Sequence, residues 1–330
     1  MARSAKQKIK LLRIYEYLRM ESDENHPRSM SEILKALKDQ KIESERKSVS
    51  SDIKLLREYG YDIRMVGYKY YLATRELNLG QIRFLIDATQ SAAFLTKAQT
   101  QDISAALAML AGTHSAELLQ EKVICFDKIK HRNDDALAIV EKINRAIENE
   151  KKITFRYFHI GPNGVKEFGK GGERYKRSPV GLIFNGGFYY LVCHTEKYNG
   201  LGTFRVDRMC DVEECNECIT HLEVDEKFTN GTLKDEMTAF GMWHNETEKV
   251  MLVFERSYIE EVCDKFGYDE HVGVYDADHY YISVRVNLSD LFYGWVASYG
   301  THMRIAGPSH VKEAFMDRLN KALSQYYLYS

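Results

Sequence analysis

Leu11, Ile14, Tyr15 and Leu18 recur at the i, i+3, i+4, i+7 spacing of one helical face, which predicts an amphipathic helix over residues 5 to 21. After the polar loop ESDENHPRS, a short helix from about Ser31 to Asp39 is expected to bury Ile33, Leu34 and Leu37. A third helix occupies ERKSVSSDIKLLREYG, with Ser44 as its expected N-cap and Gly60 as its stop. The run YDIRMVGYKYYLA then reads as two short strands turned at Gly67. Three helices and a hairpin within residues 1–73 form the element order of a winged helix-turn-helix.

From residue 74 to 148 the pattern stays helical through LGQIRFLIDATQSAAFL, QDISAALAMLAG and DDALAIVEKINRAIEN, so a helical connector is expected. At KKITFRYFHI the period switches to two. A loop rich in glycine and charge, GPNGVKEFGKGGERYK, separates it from RSPVGLIFNGGFYYLVCH, where Asn185-Gly186 is expected to turn a hairpin. With the strand in GTFRVDRMCDVEE, residues 149–222 form a compact antiparallel β unit. A linker over 223–247 and a C-terminal unit over 248–330 follow, the latter alternating strands and helices. The fold class is α+β and multidomain.

The third helix changes the picture most. On a helical wheel Val49, Ile53 and Leu56 share the core side, while Arg46, Lys47, Ser50, Ser51, Lys54 and Arg57 share the opposite arc. The reading places no acid within that arc and puts Asp52 at its edge. A merely solvated helix mixes both signs on its outer face, whereas cations and short donors suit phosphates and base edges. The candidate contacts to duplex DNA are therefore Arg46, Lys47, Ser48, Ser50, Ser51 and Lys54, with Tyr68 and Lys69 on the wing. Charge agrees: residues 1–73 hold 16 Lys+Arg against 11 Asp+Glu. The rest holds 46 − 16 = 30 against 48 − 11 = 37, so a basic head sits on an acidic body.

Four stretches together resemble the WYL-domain transcriptional regulators. RKSVSSDIKLLREYGYDI with GYKYYLATRELN resembles their recognition helix and wing, and KKITFRYF the first strand of their Sm-like β-barrel. KRSPVGLIFNGGFYYLVCH with FRVDRM resembles the signature segment, and LFYGWVASYGTHMRIAGPSHVKEAFMDRLNKAL the C-terminal extension. The naming tripeptide departs from the family, reading Tyr189-Tyr190-Leu191, with tyrosine in place of tryptophan. The resemblance implies a sensor: an Sm-like barrel binding an anionic effector, nucleic acid or nucleotide-like, that alters DNA binding by the winged helix. The positions it points to are Tyr157, Ser178, Tyr190, Arg205 and Arg208, and His194 shares the strand face of Tyr190. An arginine beside Tyr and Ser on a sheet suits a phosphate or carboxylate clamp; the alternative is that Arg205 and Asp207 pair with neighbouring charges to pin the last strand.

Other chemistry has little support. Six cysteines in a chain of 330 residues suggest a reducing cytosol rather than a disulfide framework. Cys210, Cys215, Cys218 and His221 hint at zinc, but a second Cys pair at ribbon spacing is missing, so no metal is expected. GKGGER lacks the phosphate-loop pattern, although Lys170, Arg174, Lys176 and Arg177 can assist an anionic ligand. His194 is expected on an outward strand face. No catalytic constellation, cofactor motif or membrane-spanning run stands out, so a cytoplasmic regulator, not an enzyme, is expected. Homodimerisation is expected because one winged helix buries little surface on DNA. The rival readings are a module for RNA or single-stranded nucleic acid, and an enzyme acting on a nucleotide.

Overall fold

The computed structural model describes residues 5–121, 130, 133–195, 200–220 and 247–327. The chain divides into two compact units, Met1–Thr220 and His221–Ser330.

The first unit begins with α1 (Ala5–Glu21), β1 (Arg28–Ser29), α2 (Met30–Asp39), α3 (Arg46–Tyr59), β2 (Ile63–Val66) and β3 (Lys69–Leu72). The apolar stripes of all three helices meet in one core: Ile14 and Leu18 from α1, Ile33 and Leu37 from α2, Val49, Ile53 and Leu56 from α3. Burying each such side chain contributes roughly 1.5–3 kcal/mol, which outweighs the modest helix propensity of a serine-rich α3. Leu34, expected inside, is only half-buried, and Met30 takes the place instead. Ser29 and Glu32 cap α2 reciprocally, Ser29 N–H donating to Glu32 Oε2 at 2.8 Å. The expected cap of α3 is corrected: Glu45 holds the N-cap position without a side-chain bond, and Ser44 lies one residue too early. Gly60 ends α3 with φ +115° and Gly67 turns the hairpin with φ +60°, both as expected. Arg28–Ser29, read from sequence as loop, instead adds a short third strand to β3.

Three helices follow, α4 (Leu79–Ser91), α5 (Lys97–Met109) and α6 (Thr113–Glu121), around Ile82, Ile86, Ala108 and Ala116. α6 and the link before α4 hold the C-terminus of α1, whose last carbonyls lack helical partners. Thr113 Oγ1 donates to Met20 O at 3.0 Å, and Arg75 Nη2 donates to Arg19 O at 3.0 Å and Ser22 O at 2.7 Å. Gly112, at φ +87°, makes this approach possible, because a Cβ there would stand 3.1 Å from Met20 O. The rings of His26 and His114 stack 4.0 Å apart across the same junction, and Arg28 Nη2 donates to His114 Nε2 at 2.8 Å.

The last helix of the expected connector, α7 (Ala136–Glu148), belongs elsewhere: Ile139, Ile143 and Ala146 pack into the core of the following sheets. Those sheets comprise β4 (Lys151–Ile160), β5 (Lys166–Phe168), β6 (Tyr175–Arg177), β7 (Pro179–Asn185), β8 (Phe188–Thr195), β9 (Gly200–Arg205) and β10 (Met209–Cys218). One sheet has the order β10-β4-β5 with β6 also on β4; the other has β7-β8-β9. They share a core of Ile153, Phe155, Leu191, Val206, Met209 and Val212. The chain changes sheet at Ser178 and again at the 3₁₀ turn Val206–Arg208. Among the described residues the strands pair as two antiparallel sheets packed on a shared core, and their pairing does not close into a ring. The β7–β8 turn is also one residue later than expected. Asn185 still pairs with Phe188, and Gly186 and Gly187 make the turn at φ +59° and +83°.

The second unit contains β11 (Thr247–Glu255), α8 (Ile259–Phe266), β12 (Val272–Val274), β13 (His279–Asn287), α9 (Asp290–Ser298), β14 (Met303–Gly307) and α10 (Ser309–Tyr327). Its antiparallel order β12-β13-β11-β14 is that of a ferredoxin-like split βαβ arrangement. Leu252 and Phe254 of β11, Ile282 and Val284 of β13, and Phe292 and Val296 of α9 fill its core. The 223–247 linker lies outside the described residues but for Thr247, the first residue of β11.

Candidate functional site

Two surfaces of the first unit carry the expected chemistry. On α3 the core stripe anchors the helix and fixes which side chains face out. Arg46, Lys47, Ser50, Ser51 and Lys54 are all exposed, and on the hairpin Tyr68 is 86% exposed with Lys69 beside it. Ser48 is also exposed but lies at the edge of this arc. Its hydroxyl is met by the Lys10 ammonium of α1, which also pairs with Asp52 at 2.7 Å. Lys10 is buried, so a cation from α1 ties down the inner edge of α3 and takes up the one acid nearest the stripe. The expectation of an acid-free outer arc is corrected. Glu58 lies one turn beyond Lys54 and faces it at 3.6 Å. Both partners are well exposed, so the pair is weak and leaves Lys54 available. Arg57, in the same arc, is turned to the hairpin, Nε donating to Ile63 O at 2.6 Å.

The β-sheet surface is more enclosed. Tyr157 is buried; its Oη accepts from Arg205 N–H at 3.3 Å, and burial raises its pKa. Ser178 is buried, with Oγ accepting from Thr220 N–H at 2.9 Å and its carbonyl accepting from His194 N–H at 3.0 Å. His194 is 7% exposed, which corrects the outward placement expected for it: both faces of β8 are covered. Tyr190, half-buried, stands opposite Arg205 in the register of β8 and β9. Arg208 is half-buried, and its charge opposes the rise in the Tyr157 pKa.

Arg205 is paired within its own turn. Nε and Nη2 donate to the two oxygens of Asp207 at 3.0 and 2.8 Å, and the guanidinium lies 3.6 Å from the Phe188 ring centroid. Burial works to lower the Arg205 pKa, yet the Asp207 carboxylate holds it above the ordinary value. Asp207 is only 6% exposed, so the pair is a built-in clamp. Tyr189, in the family's tryptophan position, packs edge-on against Phe94 at 5.0 Å.

Among the described residues no group of three or more His, Cys, Asp or Glu gathers as a metal site, and no helix is long and apolar enough to cross a membrane. His221 of the zinc hint lies outside the described residues.

A multidomain α+β protein with an exposed cationic helix ahead of an enclosed β unit is the class these surfaces define. Residues 138–214 match the WYL domain and residues 246–323 the WCX domain, so the chain carries both domains. The WYL match begins inside α7, in keeping with that helix packing on the sheets. No curated protein matches the chain. Among solved structures the chain is similar to proteasome accessory factor B/C (PafBC) of Arthrobacter aurescens, at 15% identity and a TM-score of 0.27. That match covers 98% of this chain and 49% of the other, so the chain spans about half the length of that protein.

Proposed function

We propose that the protein is a transcriptional regulator that binds duplex DNA through α3 and the β2–β3 hairpin and answers to an anionic effector held by its WYL domain. The observation that carries the reading is the outer face of α3. Five polar side chains there, three of them cationic, stand exposed on a helix whose other side is locked into a core. A helix so fixed can enter a major groove while Tyr68 and Lys69 reach the adjacent backbone or minor groove. The domain content supports it, since the WYL and WCX domains follow in the order that the resemblance implies. The protein acts as a homodimer, because two half-sites supply the surface that one head lacks. An effector shifts DNA binding only if it favours one arrangement of the two heads over another. Tyr157, Ser178, Tyr190, His194, Arg205 and Arg208 frame the effector-binding region.

Fluorescence anisotropy with genomic duplex fragments that copurify with the protein tests the reading. Affinity should fall steeply with salt, and Lys47→Ala with Lys54→Ala should lower the slope of log K against log salt by about two, close to one per phosphate contact. A slope that the double variant leaves unchanged removes α3 from the interface.

A further inference from the structure

The four cations of the segment following β5 have different fates. Arg174 is neutralised, Nη2 facing Glu213 at 3.0 Å and donating to Thr154 Oγ1 at 3.0 Å. Lys176 is paired with Glu217. Arg156, on the neighbouring strand, is paired with Asp211. Lys170 and Arg177 have no carboxylate partner among the described residues. Both lie over the Tyr175 ring.

Arg177 stands opposite Ile153 in the β4–β6 register, so its side chain leaves the strand on the core side. It is half-buried, over Tyr175 at 5.5 Å and over Phe204 at 5.8 Å from the ring centroids. Its Nη1 donates only to the neighbouring Lys176 O at 2.7 Å, and its Nε is buried with no hydrogen-bond partner. Lys170 reaches the same tyrosine, 4.6 Å from its centroid. The backbone holds it there: Lys170 adopts φ +51°, and a Cβ at Gly169 would stand 2.7 Å from Tyr175 Oη. Two cations therefore flank one aromatic side chain, while Asp211, Glu213 and Glu217 on the neighbouring strand are already paired with other cations. A half-desolvated guanidinium without a counter-ion is costly, and gains most from an anion brought to it.

We propose that Arg177 and Lys170 form a recognition point for a terminal phosphate, the phosphate monoester end of the effector. The proposal rests on the reading of the WYL unit as effector-binding, and moves the anion contact from Arg205 to Arg177. Charge selects the chemistry. A monoester carries about −1.5 to −2 at neutral pH and three acceptor oxygens, which matches two cations. An internal phosphodiester carries one charge and leaves one cation uncompensated. Arg205 is unsuited to the task, because Asp207 already fills both prongs of its fork.

Scanning calorimetry on the full chain tests this with methyl phosphate as the monoester and dimethyl phosphate as the diester, at matched ionic strength. At ten times its Kd, methyl phosphate should raise the unfolding midpoint by about 3 °C, and dimethyl phosphate should not. Arg177→Leu should fold with a midpoint in chloride at or above that of the wild type, and lose the rise. The Lys47→Ala, Lys54→Ala variant should keep the rise while losing duplex affinity, which separates this site from the α3 face. The proposal is overturned if both esters act alike on the wild type, or if Arg177→Leu still responds to the monoester. Wild-type protein that responds to methyl phosphate but binds no duplex DNA would instead overturn the regulator reading and leave the phosphate site standing.

Discussion

Asp207 is among the most enclosed acids of the described residues, and Arg205 is its ion-pair partner across that turn. Arg205→Ala should therefore destabilise the first unit by about 3 kcal/mol, because it strands a buried carboxylate. Urea denaturation should show this, whereas Asp207→Asn with Arg205→Ala should recover much of the loss. The sequence offered both roles for Arg205, and could not choose. Period-two alternation puts residues 205 and 207 on one face, but the chain leaves strand geometry for a 3₁₀ turn at Val206, and that bend closes the fork. Cys193 is a second case. Burial pushes its thiol up to about 12, against the lowering effect of the Arg177 charge. A raised native pKa favours the native state below the unfolded thiol's value of about 9. That contribution should be lost as pH climbs from about 9 to about 12. Iodoacetamide under native conditions should spare Cys193 and modify the exposed Cys218 first, with mass mapping as the readout.

Helices with a strong apolar stripe were plain in the sequence, as were the glycines that stop α3 and turn the wing. Gly60→Ala should cost about 1 kcal/mol, as a conformational penalty alone, because nothing lies within 4 Å of the added Cβ. Ile53→Ala, by contrast, opens a cavity in a closed core and should cost about 2–5 kcal/mol, enough to lose DNA binding with the fold. Thermal melts of both variants would rank them. Elements held by pairing rather than by their own pattern were not legible. β12 has three residues and β1 two, too short for any period, and each exists because a longer neighbour offers hydrogen bonds. β14 does alternate, with Met303 and Ile305 inward and Arg304 outward, but the stretch reads equally well as a helix lead-in. Glu58 falls between Lys47 and Ser51 on the wheel, and its effect on that arc is set by its pairing with Lys54.

Charge sets the N-terminal helices and hairpin apart from the rest of the chain. The basic excess sits in residues 1–73, and the acidic excess lies beyond them. Duplex DNA should thus be drawn to one end of the chain and repelled by the rest. Sedimentation of the intact protein at micromolar concentration should give the mass of a homodimer with operator bound, and a monomeric mass would remove the two-head reading. The order of parts was legible because each part has its own periodicity. Which cations remain unneutralised was not, because the acids that decide it, Asp211, Glu213 and Glu217, sit on a strand some 40 residues downstream of Arg174.

The grip of α6 on the end of α1 has a practical corollary for anyone building hybrids of this protein. A foreign DNA-reading head joined at residue 73 would bring its own first helix, and that helix would have to end at the right height for Thr113 and Arg75 to cap it. It would also need a bare backbone beneath Gly112, where even a methyl group crowds the carbonyls of Arg19 and Met20. On the proposed reading, heads that ignore this fit would bind DNA without answering to the effector.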